Sequence, residues 1–491
     1  ALQLDPVGLA GFAVLGIVSA LVGGWVPARQ AERLQPALAL KGLGTPIDHA
    51  PPAWPALALL GAGGLLALAP AVGGLPVAAY LSVAALLFGG VALVPAAVDA
   101  LLELLPQPQG ALPLLALQRA RFQRRTATAA VAGVVASLAL AVALTVMVTS
   151  FRQGVSAWLD SVLPADLYAR TAGTSAASDQ AWLDPEFVRT ATQLPGVQAV
   201  RASRVRSILL APGRPAVTLI ARALDDPAAA LPLLAPPLPA RPGETGVYVS
   251  EAMVDLYGAA PGSELVLPLG SAPVRLRVLG VWRDYARQFG AVTIDDRRYR
   301  ELTGDTRIND LAIWLAPGVR AADVQAALRA AAPDPAMLEF AATAELRRLS
   351  LAIFDRSFAV TYYLQAVAIV IGLVGIAASV SAQVLARRKE FGLLSHLGLV
   401  RREVITIVAG EVAAWLAAGV AIGLALGIAI SIVLVHVVNP QSFHWTMALV
   451  LPWGRLALLG AAVMVAGVAT AAFSARAAAS RAAVLSVKED W

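Results

Sequence analysis

Nucleophilic or metal chemistry would have to come from very few side chains here. The sequence has no cysteine, three lysines (Lys41, Lys389 and Lys488) and four histidines (His49, His396, His436 and His444). The missing thiols exclude disulfides, thiolate metal sites and thiol nucleophiles. Residues 151–356 contain neither histidine nor lysine. A nucleophile activated by either base is therefore excluded there, as is a histidine-based zinc site. Adjacent acids remain, Asp225 with Asp226 and Asp295 with Asp296. In polar stretches such pairs read as turn and helix-cap residues rather than a catalytic dyad. His436 and His444 flank an Asn-Pro turn and read as interfacial polar residues. A phosphate-cradling loop needs Gly-Lys-Ser/Thr. No lysine here follows a glycine, so the sequence carries no such loop.

Charge is instead concentrated in "ARRKEFGLLSHLGLVRREV" (Ala386 to Val404), where Arg387, Arg388 and Lys389 stand on one side and Arg401 and Arg402 on the other. Read as a helix, Phe391, Leu394, Leu397 and Gly398 share one side at spacings of three and four. A cytoplasmic loop obeying the positive-inside rule accounts for the five basic residues. It does not account for an exposed apolar knob, which points to a docking surface. Glu411, downstream of Arg402, lies near the expected headgroup level. It reads either as a helix-start acid favoured by the helix dipole or as a partner for an arginine of this segment. "LPLLALQRARFQRR" (Leu112 to Arg125) sets leucines ahead of Arg119, Arg121, Arg124 and Arg125, the pattern of an amphipathic elbow on the inner leaflet.

The elements that position these residues are membrane helices. The 491 residues are 58% hydrophobic and 14% charged, with a mean hydropathy of +0.70, well outside soluble composition. The net charge of +6 comes mostly from arginines beside apolar runs, a topology signal rather than a nucleic-acid face. Spans are expected at Val7–Val26, Thr126–Phe151, Ser357–Ala386, Val412–Val435 and Leu456–Ala475. Ala50–Val98 is uncharged and as one helix would measure roughly 74 Å at 1.5 Å per residue. It must fold back, most simply at "PAVGGLP" (Pro70 to Pro76), giving two more spans and seven in all. Arginines and lysines crowd residues 28–53, 99–125, 387–403 and 476–491, whereas the opposite short segments hold only Arg455. The first side is therefore cytoplasmic, and residues 151–356 face outward as one large domain.

Within 151–356, "DPEFVRTATQLPGVQAVRASRV" reads as a Pro-started helix, a Pro-Gly turn and a strand. "APVRLRVLGVW" alternates with period two, and further strand-then-helix pairs follow. A mixed α+β domain is expected, hung on helices around 151–163 and 341–356. "PARQAERLQPALALKG" (Pro27 to Gly42) and "SARAAASRAAVLSVKE" (Ser474 to Glu489) align without gaps at Ala28-Arg29 with Ala475-Arg476 and Lys41 with Lys488. Such similarity suggests duplicated membrane units, with the chain beginning partway through the first.

One span, a large outer domain, three spans, a basic "RRKEFGLLSHLGLVRREV" loop and an Arg-Ala tail together resemble the FtsX-like permease family of ABC transporters. The family includes proteins of the MacB and LolC/LolE type, and the extra spans resemble its ten-span duplicated branch. The first unit's outer domain and first three helices have no counterpart in the sequence. The resemblance implies an α-helical membrane protein with seven transmembrane helices and an inserted extracytoplasmic α+β domain like the MacB periplasmic core. By the same reading, residues 1–45 are the last helix and tail of a preceding FtsX-like unit, 46–111 two linking helices, and 112–150 the elbow and first helix of the second unit. Residues 151–356 are the outer domain, and 357–491 three helices with a coupling segment at 387–403. Glu390, Phe391, Gly392, Leu394, Leu397, Gly398, Arg401 and Arg402 would then couple to an ATPase, while Arg119, Arg121, Arg124, Arg125 and Glu411 sit at the membrane interface. Neither a catalytic residue nor a bound cofactor or metal is expected on this chain; ATP and Mg belong to a partner ATPase dimer. Other expected partners are a second permease copy or the preceding FtsX-like unit, membrane lipids and an extracytoplasmic protein, with no nucleic acid. The implied activity is movement of a lipid, lipoprotein or other amphiphile at a bacterial inner membrane. The alternative is a non-transporting scaffold that regulates an outer protein such as a cell-wall hydrolase.

Overall fold

A computed structural model describes residues 6–32, 52–122, 124–171, 181–241, 244–270, 272–386, 390, 394 and 398–478. The chain divides into two units, Ala1–Pro52 and Ala53–Trp491. The first holds one described element, helix α1 (Pro6–Glu32), 27 residues long. Most of both repeat segments lies outside the described residues.

The second unit opens with the expected fold-back, but its first arm is short. Helix α2 (Trp54–Leu66) has 13 residues, about 20 Å at 1.5 Å per residue, and alone it cannot cross ~30 Å of hydrocarbon. A turn closed by the Val72–Leu75 bridge leads into α3 (Val77–Leu104). Helix α4 (Ala111–Phe122) follows, then α5 (Arg124–Val162). After the α+β domain come α10 (Thr343–Ser357), α11 (Ala359–Ala386), α12 (Arg401–Val433) and α13 (Trp453–Ala478). A π-helical turn at Leu434–Val438 extends α12 to Phe443. Among the described residues five helices are long and apolar enough to span: α3, α5 from Val131, α11, extended α12, and α13.

Small residues let this bundle close. Gly419, Gly423 and Gly427 of α12, spaced by four, face Val131, Leu138 and Val142 of α5; a Cβ at Gly427 would meet the Val142 Cβ at 2.6 Å and the Ala139 carbonyl at 2.7 Å. Helices packed through such small-residue stripes approach backbone to backbone. The surrounding core draws on α3, α5, α11, α12 and α13, with Val98, Val135, Val146, Val404 and Ala471 fully or almost fully buried.

Helix α5 has 39 residues, about 58 Å, and so carries well past an apolar layer before stopping ahead of Pro164. Strand β1 (Leu167–Thr171) starts a nine-stranded sheet. Helix α6 (Pro185–Gln193) is capped by Asp184, whose carboxylate accepts the Glu186 N–H. Then follow β2 (Val197–Ile208), β3 (Val217–Arg222), β4 (Gly246–Ser250), α7 (Glu251–Tyr257), β5 (Glu264–Leu269) and β6 (Ala272–Trp282). The domain closes with β7 (Ala291–Asp295), α8 (Asp296–Thr303), β8 (Asp310–Leu315), α9 (Ala321–Ala331) and β9 (Leu338–Ala342). Strand order is β5-β6-β4-β7-β3-β2-β8-β1-β9, with only β3–β7 and β4–β6 parallel. Period-two alternation sends Val217, Leu219 and Ala221 of β3 into one apolar cluster and Ile220 into another. A third cluster joins β1 and β8 to α6 and α9. Strands β1 and β9 pair antiparallel, Leu167 opposite Ala342, so the helices leaving and re-entering the bundle meet side by side at one sheet edge.

Candidate functional site

The segment between α11 and α12 is described only in part. Phe391, Gly392, Leu397 and the basic triplet Arg387, Arg388 and Lys389 lie outside the described residues. Glu390, Leu394 and Gly398–Val400 are placed; Leu394 and Leu399 pack against the bundle, while Gly398 and Val400 are exposed. Leu394 is half-buried, with one side packed against the bundle core. Gly398 has φ +98 and no described atom within 4 Å of a would-be Cβ, so its left-handed backbone rather than crowding within the chain calls for glycine. It is a helix terminator: the Leu399 N–H donates to the Leu394 carbonyl at 3.2 Å, the six-to-one bond that needs a left-handed residue between. Glu403 reaches back to accept the Val400 N–H at 2.9 Å, starting α12. Arg401 donates to the Arg476 carbonyl at 2.5 Å, tying this segment to the last turn of α13, where a cation suits the helix dipole. Arg402 is exposed.

The elbow helix α4 meets the same place. Arg119 donates to Glu390 at 2.8 Å and to Glu411 at 3.4 Å. It is 16% exposed, and Glu411 is fully buried. Glu411 is therefore paired with an elbow arginine, an arrangement outside both readings offered by the sequence. Arg121 also turns inward, donating to the Leu102 and Leu105 carbonyls at 3.0 and 2.9 Å and so capping α3. Arg124 and Arg125 open α5, and their side chains lie outside the described residues. The Trp415 indole of α12 donates to the Ala120 carbonyl of α4 at 3.1 Å, so the elbow is bolted to α12 as well as lying beside it.

At the opposite end of α5 and α12 a second junction holds the α+β domain. Phe151 of α5 stacks with Phe354 at 4.2 Å and meets Trp445 at 4.7 Å and Phe358 at 5.1 Å with tilted rings, and Trp445 meets Tyr285 edge-on at 4.5 Å. Around this ring cluster, Glu251 at the start of α7 accepts the Thr446 N–H at 2.5 Å and the Thr446 hydroxyl at 2.7 Å. Arg283 donates to the Thr446 hydroxyl at 3.1 Å and lies 3.6 Å from Glu251. Burial pushes the Glu251 carboxyl above the usual range despite the Thr446 and Arg283 donors. Burial likewise pushes the Tyr285 phenol up to about 12; its hydroxyl donates to the Thr446 carbonyl at 3.2 Å. Through these contacts the α12–α13 loop is gripped by the domain independently of the two connecting helices. Sequence reading missed this junction, because its residues come from five separate stretches; the only local signal was the aromatic run "FHW" (Phe443 to Trp445).

The adjacent acids are structural. Asp226 and Asp295 cap helices through backbone N–H groups, while Asp225 pairs with Arg297 at 2.9 Å and Asp296 with Arg300 at 3.1 Å. His444 stands 3.4 Å from Asp255, and His436 contacts the Ile432 carbonyl at 3.3 Å. Among the described residues no cluster of three or more His, Asp or Glu forms a metal site.

Residues 364–483 match the FtsX-like permease C-terminal family, and residues 127–331 match the MacB-like periplasmic core domain. An uncharacterized ABC transporter permease protein of Mycobacterium tuberculosis is 26% identical over 328 residues, covering 65% of this chain and 38% of that protein. The chain thus spans well under half the length of this curated relative. The crystallised periplasmic region of MacB from Actinobacillus actinomycetemcomitans is 13% identical, with a TM-score of 0.29 over 39% of this chain and 94% of its own. The extracellular domain of the noncanonic ABC-type transporter YknZ from Gram-positive bacteria is 12% identical, with a TM-score of 0.26 over 36% of this chain and 98% of its own. With a MacB-like core inserted ahead of an FtsX-like membrane region, the chain belongs to the FtsX/MacB-type permease family.

Proposed function

We propose that the chain is the membrane subunit of an ABC system in which a separate ATPase dimer, binding ATP and Mg, works on residues 387–403. The membrane is the bacterial inner membrane, crossed several times, with the α+β domain outside. The second permease half is another copy or the preceding FtsX-like unit. Closure of the ATPase pushes Phe391, Leu397 and Arg402, and the push moves the outer domain, extracting or exporting a lipid, lipoprotein or other amphiphile.

The observation that carries this reading is the continuity of α5. It runs unbroken for 39 residues from the elbow to the sheet, and Arg119 beside its start holds both Glu390 and Glu411. A rigid helix joined at both ends transmits displacement between discrete states. The test is purification from detergent with any bound ATPase, followed by hydrolysis assays on Phe391→Asp and Arg402→Glu. Loss of co-purification or of stimulated hydrolysis supports the reading; hydrolysis indifferent to both substitutions overturns it. Stoichiometric capture of an outer hydrolase with no lipid moved would favour the scaffold.

A further inference from the structure

A cavity of about 720 Å³ lies between the sheet and the two connecting helices, within the ~300–1,000 Å³ of ordinary ligand pockets. Its walls differ in character. Trp158, Leu159 and Val162 of α5 and Leu346 and Leu349 of α10 make an apolar side. The sheet side carries guanidinium groups with unequal commitments. Arg170 is paired with Glu339 at 2.6 Å and Arg287 with Asp284 at 2.9 Å. Arg201 lies over the Trp314 ring at 5.5 Å. Arg222 is partly buried and forms no hydrogen bond or ion pair with any described residue; burial lowers its pKa, and Tyr168 and Asp310 oppose that only through space. Two further lining residues keep unsatisfied buried atoms among the described residues, Trp282 Nε1 and Thr293 Oγ1. A cation drawn partly out of water with no direct partner is costly, and the apolar wall facing it favours a ligand that is apolar at one end.

We propose that this cavity binds a long-chain anionic amphiphile, its acyl chain against the α5 and α10 wall and its headgroup against Arg222 and Arg201. The inference rests on the transport reading and names the chemistry of what is moved or sensed. Carboxylate and phosphate headgroups share the required charge, and Arg201 at the exposed rim admits the headgroup from solvent.

The full chain in nanodiscs of neutral phosphatidylcholine, exposed to a diazirine-bearing palmitate and irradiated, is expected to carry label within 158–163 or 345–350. Oleate and lysophosphatidate should displace it, and neutral mono-olein should do so at least tenfold less well. Arg222→Glu should cut labelling at least tenfold. Arg201→Glu, altering an exposed side chain, should cut it severalfold and keeps the test decisive if the first variant does not fold. Label absent from both segments, label unchanged in both variants, equal displacement by mono-olein, or displacement by inorganic phosphate alone would each overturn the proposal. ATPase co-purification is independent of labelling, so an unlabelled chain that still stimulates hydrolysis removes this inference and leaves the permease reading standing.

Discussion

The two helices that join the α+β domain to the bundle are built differently. Helix α5 passes through without interruption, and 61% of its most apolar stretch is buried within the protein, against 22% for α11. Helix α10 has no buried residue, and the path from it into α11 breaks at Phe358, which has φ −86 and ψ −2. No proline or glycine lies at that break; it falls where Phe354 and Phe358 stack at 4.8 Å over Phe151. The two helices are nevertheless held together, by Arg152–Asp355 at 3.2 Å, by Arg347–Asp160 and by the β1–β9 pairing. One connection is therefore a continuous shaft and the other a strut jointed at Phe358.

A proline placed in each connection gives the largest contrast. Ser156→Pro inside α5 should cost roughly 3 kcal/mol or more, while Ala359→Pro, at the first position of α11, should cost well under ~1 kcal/mol; equal losses in thermal unfolding would erase the distinction. Gly427→Leu forces a side chain onto Val142 and should destabilise by about 2 kcal/mol through overpacking, read as a lower detergent melting temperature. Arg119→Met removes charged hydrogen bonds from Glu411 and Glu390 and should cost ~1.5 kcal/mol or more, uncoupling any ATPase response before unfolding the bundle. Thr446→Val strips the hydroxyl held by Glu251 and Arg283; a loss of about 1 kcal/mol is expected, with hydrogen exchange rising in the 444–450 loop and not in α5. The smallest effect concerns pH. Burial pushes Asp310 up to about 6 against the lowering influence of Arg170, Arg287 and Arg222, with Tyr168 also facing it. As pH falls through that value the carboxyl gains a proton and the cavity becomes more positive. Cavity labelling by an alkyl sulfate bearing the same diazirine, whose charge is fixed over this range, should therefore rise between pH 8 and 5, and Asp310→Asn should flatten the profile.

Local signals foretold what is locally determined. The stop ahead of Pro164, the Asp184 and Asp295 caps and the fold-back between α2 and α3 all depend on neighbours within a few residues. The Gly419-Gly423-Gly427 spacing was equally visible in the sequence, though its meaning depends on α5 lying opposite. What periodicity cannot supply is the partner across the fold. Arg119 and Glu411 are 292 residues apart, and nothing near either one shows that a seeming lipid anchor closes a buried pair. Leu394 and Arg401 teach the same lesson: a helical face in a short basic loop predicts which residues turn together, not whether they turn outward or back onto the bundle. The sheet order, with β4 between β6 and β7, likewise follows from long-range pairing.

Because α5 and α10 form one side of the cavity, its size is not a property of the sheet alone. Any molecule wedged there props the shaft and the strut at a fixed separation and favours whichever pose of the machine has that spacing. If an ATPase acts on this chain as proposed, thermodynamic reciprocity requires nucleotide occupancy to alter the grip on that molecule by the same factor by which the molecule alters nucleotide affinity. The recess would thus be a gauge as well as a container, reporting its contents to the far side of the bilayer.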